Sequence, residues 1–144
     1  MSSFNPTTAT VLVVDDSADT RTVLRKLLEG GGCLVLEAAN GQEAVESTKR
    51  QCPELIIMDL NMPHVDGLSA TEQIRGMKDW CAGVPIIAVT AYHAYGIDDA
   101  AFEAGCNEYI IKPFDFAYLV QVLRKYLGLN FLRSERQRKA KRLG

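Results

Sequence analysis

Four consecutive apolar residues, Leu55-Ile56-Ile57-Met58, run straight into Asp59 and then into a turn marked by Pro63. The run is too short for a helix and lacks a 3.6-residue spacing, so it predicts a strand buried on both faces that delivers Asp59 at its carboxyl end. Val11-Leu12-Val13-Val14 stops in the same way at Asp15-Asp16, residues 85–89 end at Thr90, and Glu108–Ile111 end at Lys112-Pro113. A shorter run over 33–38, broken by Glu37, predicts one more strand. Between the runs the period changes to that of helices. Residues 17–29 put Val23, Leu24, Leu27 and Leu28 on one face and end in Gly30-Gly31-Gly32. Asn40-Gly41 opens a second helix with Ala44, Val45 and Thr48 inward, closed before Pro53. A third covers about 68–77 with Ile74 inward, a short fourth covers 97–104 and stops at Gly105, and Asp115 caps a fifth. The apolar stripe of this last helix is Phe116, Leu119, Val122, Leu123, Tyr126 and Leu127. Five alternations of strand and helix predict an α/β fold with parallel strands, right-handed crossovers and helices on both faces.

Length and composition narrow the picture. At 144 residues and 47% apolar, the chain suits one core, expected over residues 10–127, after a flexible lead at 1–9. The net charge of −2 conceals an asymmetry: residues 128–144 hold six basic residues and one acid, for +5, which leaves −7 on the rest. This basic C-terminal tail reads as a solvated segment, a helix extension or a linker; nucleic-acid binding is not expected, because no aromatic beyond Phe131 interleaves the charges and a helix-turn-helix does not fit. No apolar run of about 18 residues and no basic-then-apolar opening occurs, so no membrane contact and a cytoplasmic location are expected. Cys33, Cys52, Cys81 and Cys106 lie at irregular intervals and read as reduced core thiols rather than a disulfide frame or a zinc site.

Ligands of such sheets gather at the carboxyl ends of the strands. Four ends carry polar groups, namely Asp15-Asp16, Asp59, Thr90 and Lys112, whereas the second strand ends in Glu37-Ala38-Ala39. That contrast places the second strand at an edge with the other four side by side, and the order 2-1-3-4-5 is the one known for doubly wound sheets of this kind. Singly, each residue has a plainer reading: Asp16 as a helix cap working with Asp19, Thr90 as a strand end, Lys112 as a loop lysine, Tyr109 as a rim aromatic. Together they make a problem of charge. Two carboxylates about 4 Å apart repel by about 4 kcal/mol at an effective dielectric near 20, and one lysine cannot balance three of them. Oxygen donors without nearby His or Cys favour Mg²⁺, which uses one or two carboxylates together with a phosphate. Lys112 and the Thr90 hydroxyl, with a backbone N–H, would meet the remaining phosphoryl oxygens, and aspartyl phosphate at Asp59 would be the product.

VLVVDDS, LIIMDLNMPHVDG, VTA and YIIKPF, in this order and spacing over residues 10–127, resemble the receiver domains of two-component response regulators. The resemblance implies a flavodoxin-like doubly wound sheet with five strands and five helices. It implies Asp59 as phosphoacceptor and Asp15 and Asp16 as the acid pair holding Mg²⁺, joined by Asp59 and the Asn61 carbonyl. It also implies Thr90 as switch hydroxyl, the Ala91 N–H and Lys112 on the phosphoryl group, Tyr109 as switch aromatic, and a cis Lys112-Pro113 peptide. The implied donor is a phosphohistidine on a sensor histidine kinase or a histidine phosphotransfer protein; His64 and His93 read as surface loop residues. The implied output is a partner or domain on the face of helix 4, strand 5 and helix 5. Such a protein is a signalling phosphoacceptor that promotes its own phosphotransfer and dephosphorylation. Two other readings are a Mg²⁺-binding interaction module without phosphorylation, and an aspartyl-phosphate phosphatase, whose DxDxT pattern Asp15-Asp16-Ser17 does not supply.

Overall fold

A parallel five-stranded sheet in the order β2-β1-β3-β4-β5 divides the molecule. The computed structural model describes residues 8–62, 66–91, 96–113 and 115–128. The expectations for His64 and His93, for residues 1–7 of the lead and for residues 129–144 of the tail lie outside them. The elements alternate as β1 (Thr10–Val14), α1 (Ala18–Gly30), β2 (Leu34–Ala38), α2 (Gly41–Gln51), β3 (Leu55–Asp59), α3 (Gly67–Arg75), β4 (Ile86–Thr90), α4 (Ile97–Ala104), β5 (Glu108–Ile111) and α5 (Phe116–Leu127). This is the flavodoxin-like doubly wound architecture, with β2 at one edge.

The uninterrupted apolar runs of β3 and β4 are buried along their whole length, as central strands covered on both faces require. Alternate residues of one strand serve opposite sides. Leu12, Val14, Ile56, Met58, Ile86 and Ala88 join α2, α3 and α4 in one cluster. Val11, Val13, Leu55, Ile57, Ile87 and Val89 join α1 and α5 in the other. Helix starts follow the local chemistry. Asn40 accepts from Glu43 N–H at 2.9 Å while Glu43 Oε1 accepts from Ala39 N–H at 2.8 Å, a reciprocal cap of α2. Asp66 caps α3 through Ser69 N–H at 2.8 Å, and Asp115 caps α5 through Ala117 N–H at 3.0 Å. Among the described residues no helix is long and apolar enough to cross a membrane.

Four local expectations change. Val23 of α1 and Phe116 of α5 are each 46% exposed, because the covered stripe of each helix is narrower than its apolar sequence pattern. A short 3₁₀ turn, Trp80–Gly83, capped by Asp79, lies between α3 and β4, where no element was predicted. The cap of α1 is Ser17, whose hydroxyl accepts from Thr20 N–H at 3.3 Å, so the capping alternative for Asp16 does not hold. Cys33 and Cys106 are buried free thiols as expected, but Cys52 and Cys81 are paired as a disulfide, with Cα atoms 5.3 Å apart. Their separation of 29 residues hides a juxtaposition that the β3–β4 pairing creates.

Candidate functional site

Strand register assembles the site. Val14 lies opposite Met58, so Asp15 and Asp59, the next residues, arrive side by side. Asp59 lies opposite Val89, which puts Thr90 one step beyond, and Thr90 lies opposite Ile111, which puts Lys112 one step beyond that. Carboxylate oxygens of Asp15, Asp16 and Asp59 come within 4.8 Å of one another. Lys112 Nζ bridges two of these acids, 2.5 Å from Asp15 Oδ2 and 3.4 Å from Asp59 Oδ2. Asp15, Asp59 and Thr90 are buried, whereas Asp16 is exposed at the mouth.

Backbone groups fix the two buried acids. Asp15 Oδ1 accepts from Ser17 N–H at 2.9 Å, and Asp59 Oδ1 accepts from Asn61 N–H at 3.0 Å. Lys112 is delivered by its own N–H, which donates to Thr90 carbonyl at 2.8 Å, and the Lys112-Pro113 peptide is cis. Ala91 and Lys112 also line an open cleft of about 600 Å³ with Asp19, Thr20, Val23 and Pro113. Tyr109 stands on β5 opposite Ala88 and packs against the α2–α4 cluster.

Comparison with known proteins decides what this arrangement belongs to. The sequence profile of the response regulator receiver domain matches residues 11–124. The chain is a response regulator receiver domain. An uncharacterised 14.6 kDa protein of Leptolyngbya boryana is 37% identical over 116 residues, covering 81% of this chain and 88% of that one. The polar-differentiation response regulator DivK of Brucella anthropi is 32% identical over 118 residues, covering 82% and 95%. Among solved structures, the receiver domain of the Pseudomonas aeruginosa sensor histidine kinase PA1611, described with magnesium coordinated in its active-site cleft, superposes with a TM-score of 0.76. It is 37% identical and covers 85% of this chain and 99% of that one. The Vibrio cholerae chemotaxis protein CheY4 gives a TM-score of 0.77 at 28% identity, covering 84% and 100%. This receiver is therefore a module of two-component signalling.

The electrostatics of the receiver's acidic end are those of an anionic site short of positive charge. Burial pushes the Asp59 carboxyl above its ordinary value, the Asp15 charge adds to the rise, and the Asn61 N–H and Lys112 only partly oppose it. For Lys112, burial alone would lower the ammonium, but the hydrogen bond to Asp15 and the charges of Asp59 and Asp15 outweigh it and hold the lysine above its usual value. Burial, with the Asp98 charge, likewise pushes up the Tyr109 phenol. One ammonium facing three carboxylates leaves an excess of negative charge, and every donor is a hard oxygen, so the residues fit a divalent cation such as Mg²⁺.

Two residues of the site were not singled out in the sequence. Gly67 opens α3 directly against the Asp59 loop: a Cβ there would meet the Asp59 carbonyl oxygen, and would lie 2.8 Å from Leu60 Cα. Arg21 donates to the Asp15 carbonyl at 2.7 Å and, through Nε, to Glu37 at 2.9 Å, so the acid loop is tied to α1 and β2. Gly67 closes the LIIMDLNMPHVDG motif, but its role, like that of Arg21, depends on which backbone lies across the gap.

Proposed function

We propose that Asp59 accepts a phosphoryl group from a phosphohistidine on a sensor histidine kinase or histidine phosphotransfer protein, with Mg²⁺ held by Asp15, Asp16, Asp59 and the Asn61 carbonyl, in the cytoplasm. The observation that carries this reading is the convergence of three carboxylates within 4.8 Å with Lys112 against two of them. When bound, Mg²⁺ offsets the negative charge of acids and phosphoryl group together. Asp59 supplies the attacking oxygen. The bond from phosphorus to the donor imidazole breaks, and the imidazole leaves with a proton from water. Asn61 N–H keeps the Asp59 carboxylate oriented, Lys112 pairs with a phosphoryl oxygen, and the Thr90 hydroxyl and Ala91 N–H meet another.

The new dianion at Asp59 draws the Thr90 hydroxyl toward it, Tyr109 moves with the change, and the α4–β5–α5 face is shifted toward the form its output partner binds. Water at the open mouth later removes the phosphoryl group. Mass spectrometry after incubation with acetyl phosphate and Mg²⁺ tests the reading: the chain gains one phosphoryl group, and Asp59→Asn gains none. Undiminished labelling of Asp59→Asn would move the acceptor elsewhere.

A further inference from the structure

At the amino edge of the sheet, across the molecule from the acidic end, α2 finishes at Cys52 just before β3, and the 3₁₀ turn carrying Cys81 leads into β4. Pairing of β3 with β4 brings these two approaches together, and the Cα separation of 5.3 Å lies within the range a disulfide spans. Each cysteine is held by hydrogen bonds of its own. Cys52 N–H donates to Thr48 carbonyl at 2.9 Å, Cys81 N–H donates to Asp79 Oδ1 at 3.0 Å, and Cys81 carbonyl accepts from Val84 N–H at 3.1 Å. The backbone of each cysteine is therefore held by contacts besides the bond between them.

Backbone and exposure single the pair out further. Cys52 ends α2 in the left-handed region at φ 41°, a place where glycine or asparagine is the usual choice, so a cysteine here goes against the preference of the backbone. Cys52 is half-buried and Cys81 fully buried, so Cys52 is the more accessible residue of the pair. Cys33 and Cys106 are buried, and burial pushes both thiols up, away from reactive thiolate.

We propose that Cys52 and Cys81 form a reversible thiol–disulfide site that takes a peroxide as oxidant and a small dithiol as reductant. The Cys52 thiolate attacks one peroxide oxygen; the O–O bond breaks, hydroxide leaves as water after taking a proton, and Cys52 becomes a sulfenic acid. The Cys81 thiolate then attacks that sulfur, the S–O bond breaks, and a second water leaves. Two thiols give up two electrons and two protons, and hydrogen peroxide becomes two waters. In the return step a dithiol attacks Cys52, releases the Cys81 thiolate, and becomes a cyclic disulfide. Asp79 stands close enough to complete a three-ligand metal set, but its Oδ1 already accepts from Cys81 N–H and the two sulfurs are paired with each other. The pair closes a loop that contains all of β3 and α3, so oxidation restrains the segment that carries Asp59.

The test uses the full chain, reduced with dithiothreitol, treated with hydrogen peroxide and reduced again. Alkylation in denaturant followed by mass spectrometry is expected to count four thiols, then two, then four, with a cross-linked Cys52–Cys81 peptide in the oxidised sample. The oxidised form is expected to melt roughly 10 °C higher. Trp80, the sole tryptophan, is 73% exposed beside Cys81, and its emission is expected to fall on oxidation and recover on reduction. Cys52→Ser, at the accessible position, keeps the fold and loses all three responses. Four thiols after peroxide, responses that survive in Cys52→Ser, one equivalent of zinc retained by the reduced chain, or loss of near-ultraviolet circular dichroism on reduction would each overturn the proposal.

Discussion

Asp59 is costly to the metal-free fold. A carboxyl whose native value lies above its unfolded value favours folding only while protonated: that contribution is full below the ordinary 3.8 and is lost as pH rises through the raised native value. In a chelator, Asp59→Asn is therefore expected to melt above the wild type near neutral pH, with the gap closing as pH falls toward about 4. Thermal melts across that range check it, and a gap independent of pH would contradict it. Lys112 has the complementary behaviour, because its raised value makes the ion-pair contribution full below 10.5 and lost only as pH rises through the native value. Gly67 makes a sharper demand on geometry. Gly67→Ala is expected to cost roughly 1–3 kcal/mol, because the displaced atoms are backbone of Asp59 and Leu60 rather than a pliable side chain. Urea denaturation measures the cost, and acetyl-phosphate uptake is expected to slow with it. The acids and Lys112 were legible in the sequence because each directly follows an apolar strand. The roles of Gly67 and Arg21 were not, because neither the motif that ends at Gly67 nor the residues around Arg21 show which backbone lies against them.

Among the elements, α3 depends on one side chain. Arg75, at its last position, donates through Nε and an NH2 group to Gly105 carbonyl at 3.0 and 2.8 Å, through NH1 to Ala82 carbonyl at 2.7 Å, and to Asn107 Oδ1 at 3.0 Å. Asn107 in turn accepts from Ile86 N–H at 2.8 Å, so one guanidinium joins α3, the 3₁₀ turn and the α4–β5 corner to the start of β4. Arg75→Met is expected to lose about 2–4 kcal/mol in urea denaturation, since it removes charged donors from carbonyls that are partly buried. A loss below about 0.5 kcal/mol would mean that these contacts are ordinary surface ones. Element types and order followed from the sequence because uninterrupted β-branched runs alternate with 3.6-residue patterns. The 3₁₀ turn escaped because a single turn has no period to detect. Val23 and Phe116 were assigned to covered faces because apolar spacing shows which side of a helix faces inward, not how far the cover extends.

At the scale of the molecule, burial predicts a gradient of protection. β1, β3 and β4 have both neighbours and both faces covered, while in β2 only Ala38 is buried and the other four residues are half-buried or exposed. Hydrogen exchange followed by mass spectrometry is expected to be slowest in β1, β3 and β4 and faster in β2; equal protection of β2 would contradict the gradient. The edge position of β2 was legible because only the second strand lacks a polar residue of suitable kind at its end, and the order of the other four followed the known doubly wound pattern. The Cys52–Cys81 pairing becomes readable only once that order places β3 beside β4. The alternation of Leu12 and Val14 with Val11 and Val13 means that this sheet is a wall shared by two separate rooms. Furniture moved on the side of Tyr109 and α4 passes the wall only at β5, whose Glu108 accepts from Lys125 and Tyr126 of α5, so α1 can keep its original form while the flank of α4, β5 and α5 changes its outward shape.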